Sequence, residues 1–371
     1  MKKVIIFCVS LLLFSCNEKQ NLKLIKKVTF NIENDAFREG YSDSNEPFLY
    51  YATTNGNLYK YYLNSSKKDS IDLKEQIGIQ KMTNYSIIFN KENYVVYLSQ
   101  YFHVYNSASD RLYKLDSLSN YNGMEYAIVD NNEKSLKEDK LILTNLFTCD
   151  LYNKPTSDIK ETIIACEQLN KKKPSYSILD FKNNTLQSSS ITFKDIKPET
   201  KNNSSEPWFK ASAIYINNDI LYNNHFTDGI FKIDSLENFE KVITIKSKYT
   251  KFQNTEIFKK DDITSVLKEN INYSTQVNEI LYDNYRNKIV VILVHGTQDI
   301  VKYGELKMSN RPFSVLVYDA DYNFEKEYLF DSLKHDFNNI YVCKEGLIIN
   351  ANNKLGNNYE PQKLIYEIFT Y

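Results

Sequence analysis

Tyr113-Lys114-Leu115-Asp116-Ser117-Leu118-Ser119-Asn120 returns as Phe231-Lys232-Ile233-Asp234-Ser235-Leu236-Glu237-Asn238. Shorter echoes stand at Asp69-Ser70-Ile71 and Asp331-Ser332-Leu333. The four aspartates lie 47, 118 and 97 residues apart. Those intervals suit one, two and two units of roughly 50 residues, the length of a four-stranded propeller blade. A unit of that size is a small twisted sheet that cannot bury both faces alone. Stacking such sheets around an axis buries the faces, and closing the ring protects the edges. The competing reading is that Asp-Ser-Leu is a common tripeptide and the echoes are chance.

Outward from the echoes, the chain is a succession of short apolar or alternating runs. Phe48–Ala52, Tyr94–Leu98, Leu141–Phe147, Ala213–Ile216, Ile289–Val294, Phe313–Tyr318 and Leu364–Tyr371 are examples. Asn, Asp, Ser, Lys or Gly bounds most of them, as strands and hairpin turns require. Asn55-Gly56, Asn183-Asn184, Asn217-Asn218-Asp219, Asp228-Gly229, Glu345-Gly346 and Asn352-Asn353 supply residues that tolerate left-handed backbone angles. The 30 Tyr and 21 Phe favour strands over helices. The best helix signal is 262–270, where Ile263, Val266 and Leu267 share one face behind a capping Asp262. The expected architecture is therefore all-β: a β-propeller of six blades, with seven as the alternative, and one short helix. Units are expected near 30–70, 80–120, 125–195, 205–250, 272–330 and 335–371. The last strand is expected to join the first, near Leu24–Ile32, in one sheet.

The start of the chain carries a different signal. Lys2 and Lys3 precede an uncharged run, Val4 to Phe14, too short to span a bilayer as a helix and suited to a signal peptide. Leu13-Phe14-Ser15-Cys16 then resembles the bacterial lipobox, with Phe14 its one departure. That resemblance implies a diacylglyceryl group on Cys16, palmitate-type acylation and cleavage before it. The expected division is 1–15 signal peptide, 16–21 lipidated tether and 22–371 propeller. Removing 1–15 leaves 356 residues carrying a formal charge of −3. Near-neutrality argues against general nucleic-acid binding. Cys149, Cys166 and Cys343 remain, so at most one disulfide forms within the chain; Cys149 and Cys166 could pair, or all three could be buried, inert thiols.

Tyr282-Asp283-Asn284-Tyr285-Arg286-Asn287-Lys288, Arg311-Pro312-Phe313-Ser314-Val315-Leu316-Val317-Tyr318-Asp319, Lys344-Glu345-Gly346-Leu347-Ile348-Ile349 and Tyr366-Glu367-Ile368-Phe369 together resemble a family of Bacteroidetes-type lipoproteins of unknown function. The resemblance implies a six-bladed, propeller-like fold and a place in the cell envelope. It implies no activity.

Chemical signatures are few. His103, His225, His295 and His335 form no metal pattern. His295 ends an apolar strand before Gly296-Thr297-Gln298-Asp299, so it is a candidate rim ligand; a locally bonded histidine is the bland alternative. His225, beside Asp228, is a second candidate. Trp208, the single Trp, is a third, since its indole could stack on a sugar or aromatic ligand or simply pack. Asp319-Ala320-Asp321-Tyr322-Asn323 has calcium-loop spacing, but Phe324 replaces the turn glycine and Phe330 the bidentate Glu, so a solvated hairpin is expected. Ser70, Ser117, Ser235 and Ser332 resemble Asp-Ser/Thr-apolar acceptors of O-glycans in exported proteins of this bacterial group, with ordinary turns as the alternative. No catalytic residue, metal site or cofactor site is assigned.

The expected function is a lipid-anchored binding or interaction module, attached to the outer membrane, that takes a small-molecule, glycan or protein ligand. A hydrolase or lyase with an active site in the central cavity is the alternative. A tight cluster of carboxylates or His at one end of the axis would favour the enzyme. An accessory of an outer-membrane complex is a third reading, which predicts a broad apolar surface patch.

Overall fold

A computed structural model describes residues 22–32, 38–65, 67–79, 82, 85–118, 126–127, 133–145, 147–148, 173–196, 208–209, 211–224, 227–249, 275–296, 311–354, 356 and 358–371. They form six antiparallel blades. Blade 1 holds Arg38–Ser42, Phe48–Ala52, Asn57–Tyr62 and Lys68–Asp72. Blade 2 holds Tyr85–Asn90, Asn93–Leu98, His103–Asn106 and Arg111–Lys114. In blade 3 the first strand is split into Tyr126–Ala127 and Leu136–Lys137, which pair with opposite ends of Lys140–Asn145; Tyr176–Asp180 and Thr185–Ser188 follow. Blade 4 holds Ala211–Ile216, Asp219–Asn224, Gly229–Ile233 and Phe239–Thr244. Blade 5 holds Gln276–Asp283, Lys288–Val294, Phe313–Tyr318 and Phe324–Phe330. Blade 6 takes three strands from the end of the chain, Asp336–Cys343, Gly346–Asn350 and Lys363–Thr370, and its fourth, Lys23–Asn31, from the start.

The expected units and the closing sheet are thus observed. Lys23 pairs with Thr370 and Asn31 with Lys363, so hydrogen bonds between the two ends of the described chain close the ring. Six apolar clusters, one between each pair of neighbouring blades, fix the count at six. The cluster between blades 6 and 1 joins Tyr341, Tyr366 and Ile368 to Tyr41, Leu49 and Tyr51. Lys288–Val294 shows why its sequence reads as a continuous apolar run. Val290, Ile292 and Val294 face blade 6, while Ile289, Val291 and Leu293 face blade 4. Successive side chains point to opposite faces of a strand, and here both faces are dry. Each such side chain, fully buried, contributes about 1.5–3 kcal/mol.

The echo that pointed to this fold does not mark a blade register. Tyr113-Lys114 ends the outermost strand of blade 2, whereas Phe231–Ile233 ends the third strand of blade 4. Asp69 lies inside an outer strand, and Asp331 follows one. Local turn chemistry explains two of the four. Asp234 Oδ1 accepts from Leu236 N at 2.8 Å and Asn238 N at 2.9 Å, and Asp331 Oδ1 accepts from Leu333 N at 2.9 Å.

Three α-helical turns, Leu73–Ile77, Leu115–Leu118 and Phe193–Ile196, and two 3-10 turns, Ser99–Tyr101 and Glu133–Ser135, are described where one helix was expected. The first is bounded by an Asp72 side chain that accepts from Lys74 N and Glu75 N and by a left-handed Gly78. It is too short for periodicity to reveal. The helix expected at 262–270 lies outside the described residues.

Inner strands pack on one another around the axis in blade order. They run the same way, so the wheel has two distinct faces. At the hairpin face, where inner strands end, connections are short, as at 91–92, 217–218 and 344–345. At the entry face, where inner strands begin, lie the ends of all strands that lead into the longer intervals. Two glycines shape the ring. A Cβ on Gly40 would overlap the ring of Tyr50, whose hydroxyl reaches past it to donate to Ile87 O in blade 2 at 2.9 Å. Gly346 turns the blade 6 hairpin at φ +151°, and a Cβ there would strike Phe369 O.

Candidate functional site

Polar side chains that begin the inner strands stitch neighbouring blades together near the entry face. Arg38 Nε donates to Tyr85 O at 3.0 Å, joining blades 1 and 2. Ser135 Oγ donates to Ala213 O at 3.2 Å, joining blades 3 and 4. Ile280 N donates to Ser212 Oγ at 3.1 Å, joining blades 4 and 5. Asn278 Nδ2 donates to Phe337 O at 3.1 Å, joining blades 5 and 6. The last junction is carried by Glu39 of blade 1, whose Oε2 accepts from Tyr366 Oη at 2.6 Å and Asn350 Nδ2 at 2.7 Å in blade 6.

Several titratable groups at the blade 6–blade 1 junction are shifted from their ordinary values. Burial raises the Glu39 carboxyl above its ordinary range, against the lowering effect of its hydrogen bonds to Tyr366 and Asn350, and nearby Asp336 raises it further. Burial also raises Asp336, although Asn338 N donates to its Oδ1 at 2.9 Å. Lys354 pulls both the other way. Tyr341, buried behind them, is pushed well up by burial and by the charges of Glu39, Glu279 and Asp336. Carboxyls from blades 1, 5 and 6 therefore act on one phenol. A cavity of about 20 Å3 opens beside them, lined by Ile32, Glu39, Asn350, Asn352, Lys354 and Leu364. It has room for one water. Among the described residues, no group of three or more His, Cys, Asp or Glu is placed to hold a metal.

A second polar group stands at the entry end of blade 5. His295, 4% exposed, directly follows the second strand; its Nε2 shares a 2.7 Å hydrogen bond with Ser314 Oγ, and its backbone N donates to Pro312 O. Burial lowers the imidazole to about 4, so the ring is neutral at physiological pH. Arg311 is fully buried, and burial pulls its guanidinium down to about 9. Tyr249 meets the His295 ring edge-on at 6.1 Å. Glu327 accepts from Ser247 Oγ at 2.6 Å and Lys248 N at 2.8 Å, fastening blade 4 to blade 5 beneath. His295 Nδ1 and Gln276 Nε2 are buried with no hydrogen-bond partner among the described residues. Such burial costs about 1–3 kcal/mol per group unless a ligand or water satisfies it.

Aromatic side chains link blades across the opposite face. Tyr285, in the blade 5 hairpin, reaches past blade 6 to donate to Asp43 of blade 1. Tyr371 donates to Asp283, and the Arg286 guanidinium lies over the Tyr371 ring at 5.3 Å.

The residues singled out in the sequence fall unevenly. His295 lies at the rim and is bonded locally, yet one ring nitrogen is unpartnered. Trp208–Phe209 pairs with Phe147–Thr148 as a two-stranded ribbon between blades 3 and 4; only its backbone is described. Cys16, Cys149, Cys166 and His225 lie outside the described residues. Cys343 is buried, and burial pushes its thiol up to about 12, as suits an inert group. Ser70, Ser117 and Ser235 are exposed, whereas Ser332 is fully buried and closed to a glycan in the folded chain. Asp319 accepts from Asp321 N and Asn323 N as a solvated hairpin.

Glu39, Glu279, Asp336, Gln276 and Arg311 were not singled out in advance. The signal for three of them was a charge interrupting or opening a short apolar run, as in Arg38-Glu39-Gly40-Tyr41, Val277-Asn278-Glu279-Ile280 and Asp336-Phe337.

No protein-family model matches the sequence, and no curated protein matches it. Among solved structures, a member of the DUF4221 family from Bacteroides vulgatus is similar over 94% of this chain and 98% of that chain, at 15% identity and a TM-score of 0.73. At that identity the likeness shows the fold alone. Virginiamycin B lyase from Staphylococcus aureus matches over 92% of this chain and 99% of that chain, at 9% identity and a TM-score of 0.44, too loose to argue from.

Proposed function

We propose that this chain is an exported lipoprotein, tethered through Cys16 to the outer membrane, whose propeller binds a polar ligand at its entry face. The ligand is a small molecule, a glycan or a protein segment. A propeller fold does not specify a function, so the reading rests on the site. The observation that carries it is the gathering at one face of polar groups from several blades: half-buried Glu39 and Asp336 with buried Glu279 on the inner strands of blades 1, 6 and 5, and buried His295, Gln276 and Arg311 at the entry end of blade 5. Such groups offer hydrogen bonds in a largely dry setting, where recognition is specific because a mismatch leaves them unpaired.

Thermal shift against panels of polar metabolites, glycans and peptides tests the site. A true ligand raises Tm of the wild type, and Glu39→Gln or Asp336→Asn diminishes that rise. Ligands whose shift neither these variants nor His295→Ala alters would place the site elsewhere. Intact mass of the native protein tests the anchor. The expected mass lacks residues 1–15 and carries fatty acyl groups that Cys16→Ser abolishes. The same spectrum tests glycans on Ser70, Ser117 and Ser235.

A hydrolase or lyase is the second reading. What favours it is two carboxyls, Glu39 and Asp336, at one junction, both raised from their ordinary values by desolvation, since a raised carboxyl is suited to general-acid catalysis. Turnover that Asp336→Asn abolishes while ligand binding persists would establish it.

A further inference from the structure

We infer that the outer edge of blade 6 lies against an anionic phospholipid bilayer, with the entry face turned away from it. The inference rests on the acylation of Cys16 proposed above. It starts from the direction of one strand. Lys23–Asn31 is antiparallel to Lys363–Thr370, with Lys23 opposite Thr370 at the hairpin face and Asn31 opposite Lys363 at the entry face. The chain from Cys16 thus joins the wheel at the hairpin face. Seven residue steps separate Cys16 from Lys23, so even a fully extended tether spans only about 25 Å. The corner of the wheel at Lys23 is held near the bilayer, while Glu39, Asp336 and His295 lie at the far end of the blades.

The residues at that corner fit the partner. Lys23, Leu24, Ile25, Lys26 and Lys27 are all exposed, on both faces of the strand. Among the described strands, this is the only one with five consecutive exposed residues. Leu24 is 48% exposed and Ile25 49%. Lysine on a sheet edge also discourages pairing with other chains, but that role gives no reason to expose two large aliphatic side chains beside it. Two aliphatic residues among three lysines suit the boundary between acyl chains and anionic headgroups. Each lysine near such a surface contributes about fivefold to partition.

The test is amine acylation of the native lipidated protein on vesicles, read residue by residue by mass spectrometry. On phosphatidylcholine vesicles containing phosphatidylglycerol, modification of Lys23, Lys26 and Lys27 is expected to slow at least fivefold relative to pure phosphatidylcholine. Lys354, exposed at the entry face, is expected to react equally on both. High salt is expected to remove the protection. Protection of Lys354, or equal reactivity of the three lysines on both vesicles, would overturn the inference. Were the native protein to carry no fatty acid, the anchor would fall first. Partition of the unacylated full chain into the same vesicles would then judge the edge alone. A loss of about a hundredfold on combining Lys23→Glu, Lys26→Glu and Lys27→Glu would support it, and no loss would overturn it.

Discussion

Tyr366 of the blade 6 strand Lys363–Thr370 donates its hydroxyl to Glu39 Oε2 at 2.6 Å, joining the last blade to the inner strand of the first. The ring closes at this junction, and desolvation raises the Glu39 and Asp336 carboxyls here too. Closure and the candidate site therefore share residues, and variants there report on both.

Glu39→Gln should change how stability depends on pH. Burial raises the folded-state proton affinity of Glu39 above its ordinary value of 4.5. The folded state thus favours the protonated form. Its contribution is complete below pH 4.5 and is lost as pH rises through the raised value. Chemical denaturation of the wild type and Glu39→Gln at pH 4.5 and pH 8 is expected to show the variant gaining relative stability at the higher pH. A constant difference would show that Glu39 is not held this way.

Glu367 should act with the opposite sign. His335 Nε2 donates to its Oε2 at 3.0 Å and Lys334 Nζ at 2.8 Å. The bond from His335, followed by that from Lys334, lowers the carboxyl to about 2 against the cost of burial. Its stabilising contribution is present above pH 4.5 and disappears as pH falls toward 2. Glu367→Gln should lose about 1–3 kcal/mol at pH 7 and little at pH 2. Equal losses at both pH values would count against the pairing.

Gly346→Ala should destabilise by about 1–3 kcal/mol, since φ of +151° is strained for any L side chain and the added Cβ meets Phe369 O. The clash lies between the second and third strands of blade 6. Hydrogen exchange in Lys363–Thr370 should therefore quicken before exchange in blade 2. Uniform quickening would mean that the ring opens only as a whole.

Leu293→Ala and Ile292→Ala should each cost about 2–5 kcal/mol, although adjacent in sequence. Leu293 packs between blades 4 and 5, and Ile292 between blades 5 and 6. With no shared cluster, their losses should add within about 0.5 kcal/mol in the double variant. A large coupling energy, measured by urea denaturation, would show that the two interfaces respond as one.

Much of the architecture was legible because its determinants are local. The continuous apolar runs in Tyr94–Leu98 and Ile289–Val294 and turn pairs such as Asn217-Asn218 and Glu345-Gly346 mark strands and hairpins within a few residues of themselves. They placed the six expected units and the sheet shared by the first and last strands. The Asp-Ser-Leu echo led to the right fold through segments that occupy non-equivalent places, because an Asp that caps its own turn reports on the turn and not on the blade.

From its sequence alone this protein is an all-β chain of short sheet-forming units, six or seven in number, whose last strand is expected to join its first. That much follows from short-range pattern, because backbone pairing and burial select strands residue by residue. Only the tertiary structure decided that Glu39 meets Tyr366 and Asn350, that Asp336 comes within its field, and that Tyr285 reaches Asp43 on the other face. Those partners are brought together by the angle at which neighbouring sheets pack around an axis, a property of the closed ring that no stretch of residues encodes by itself.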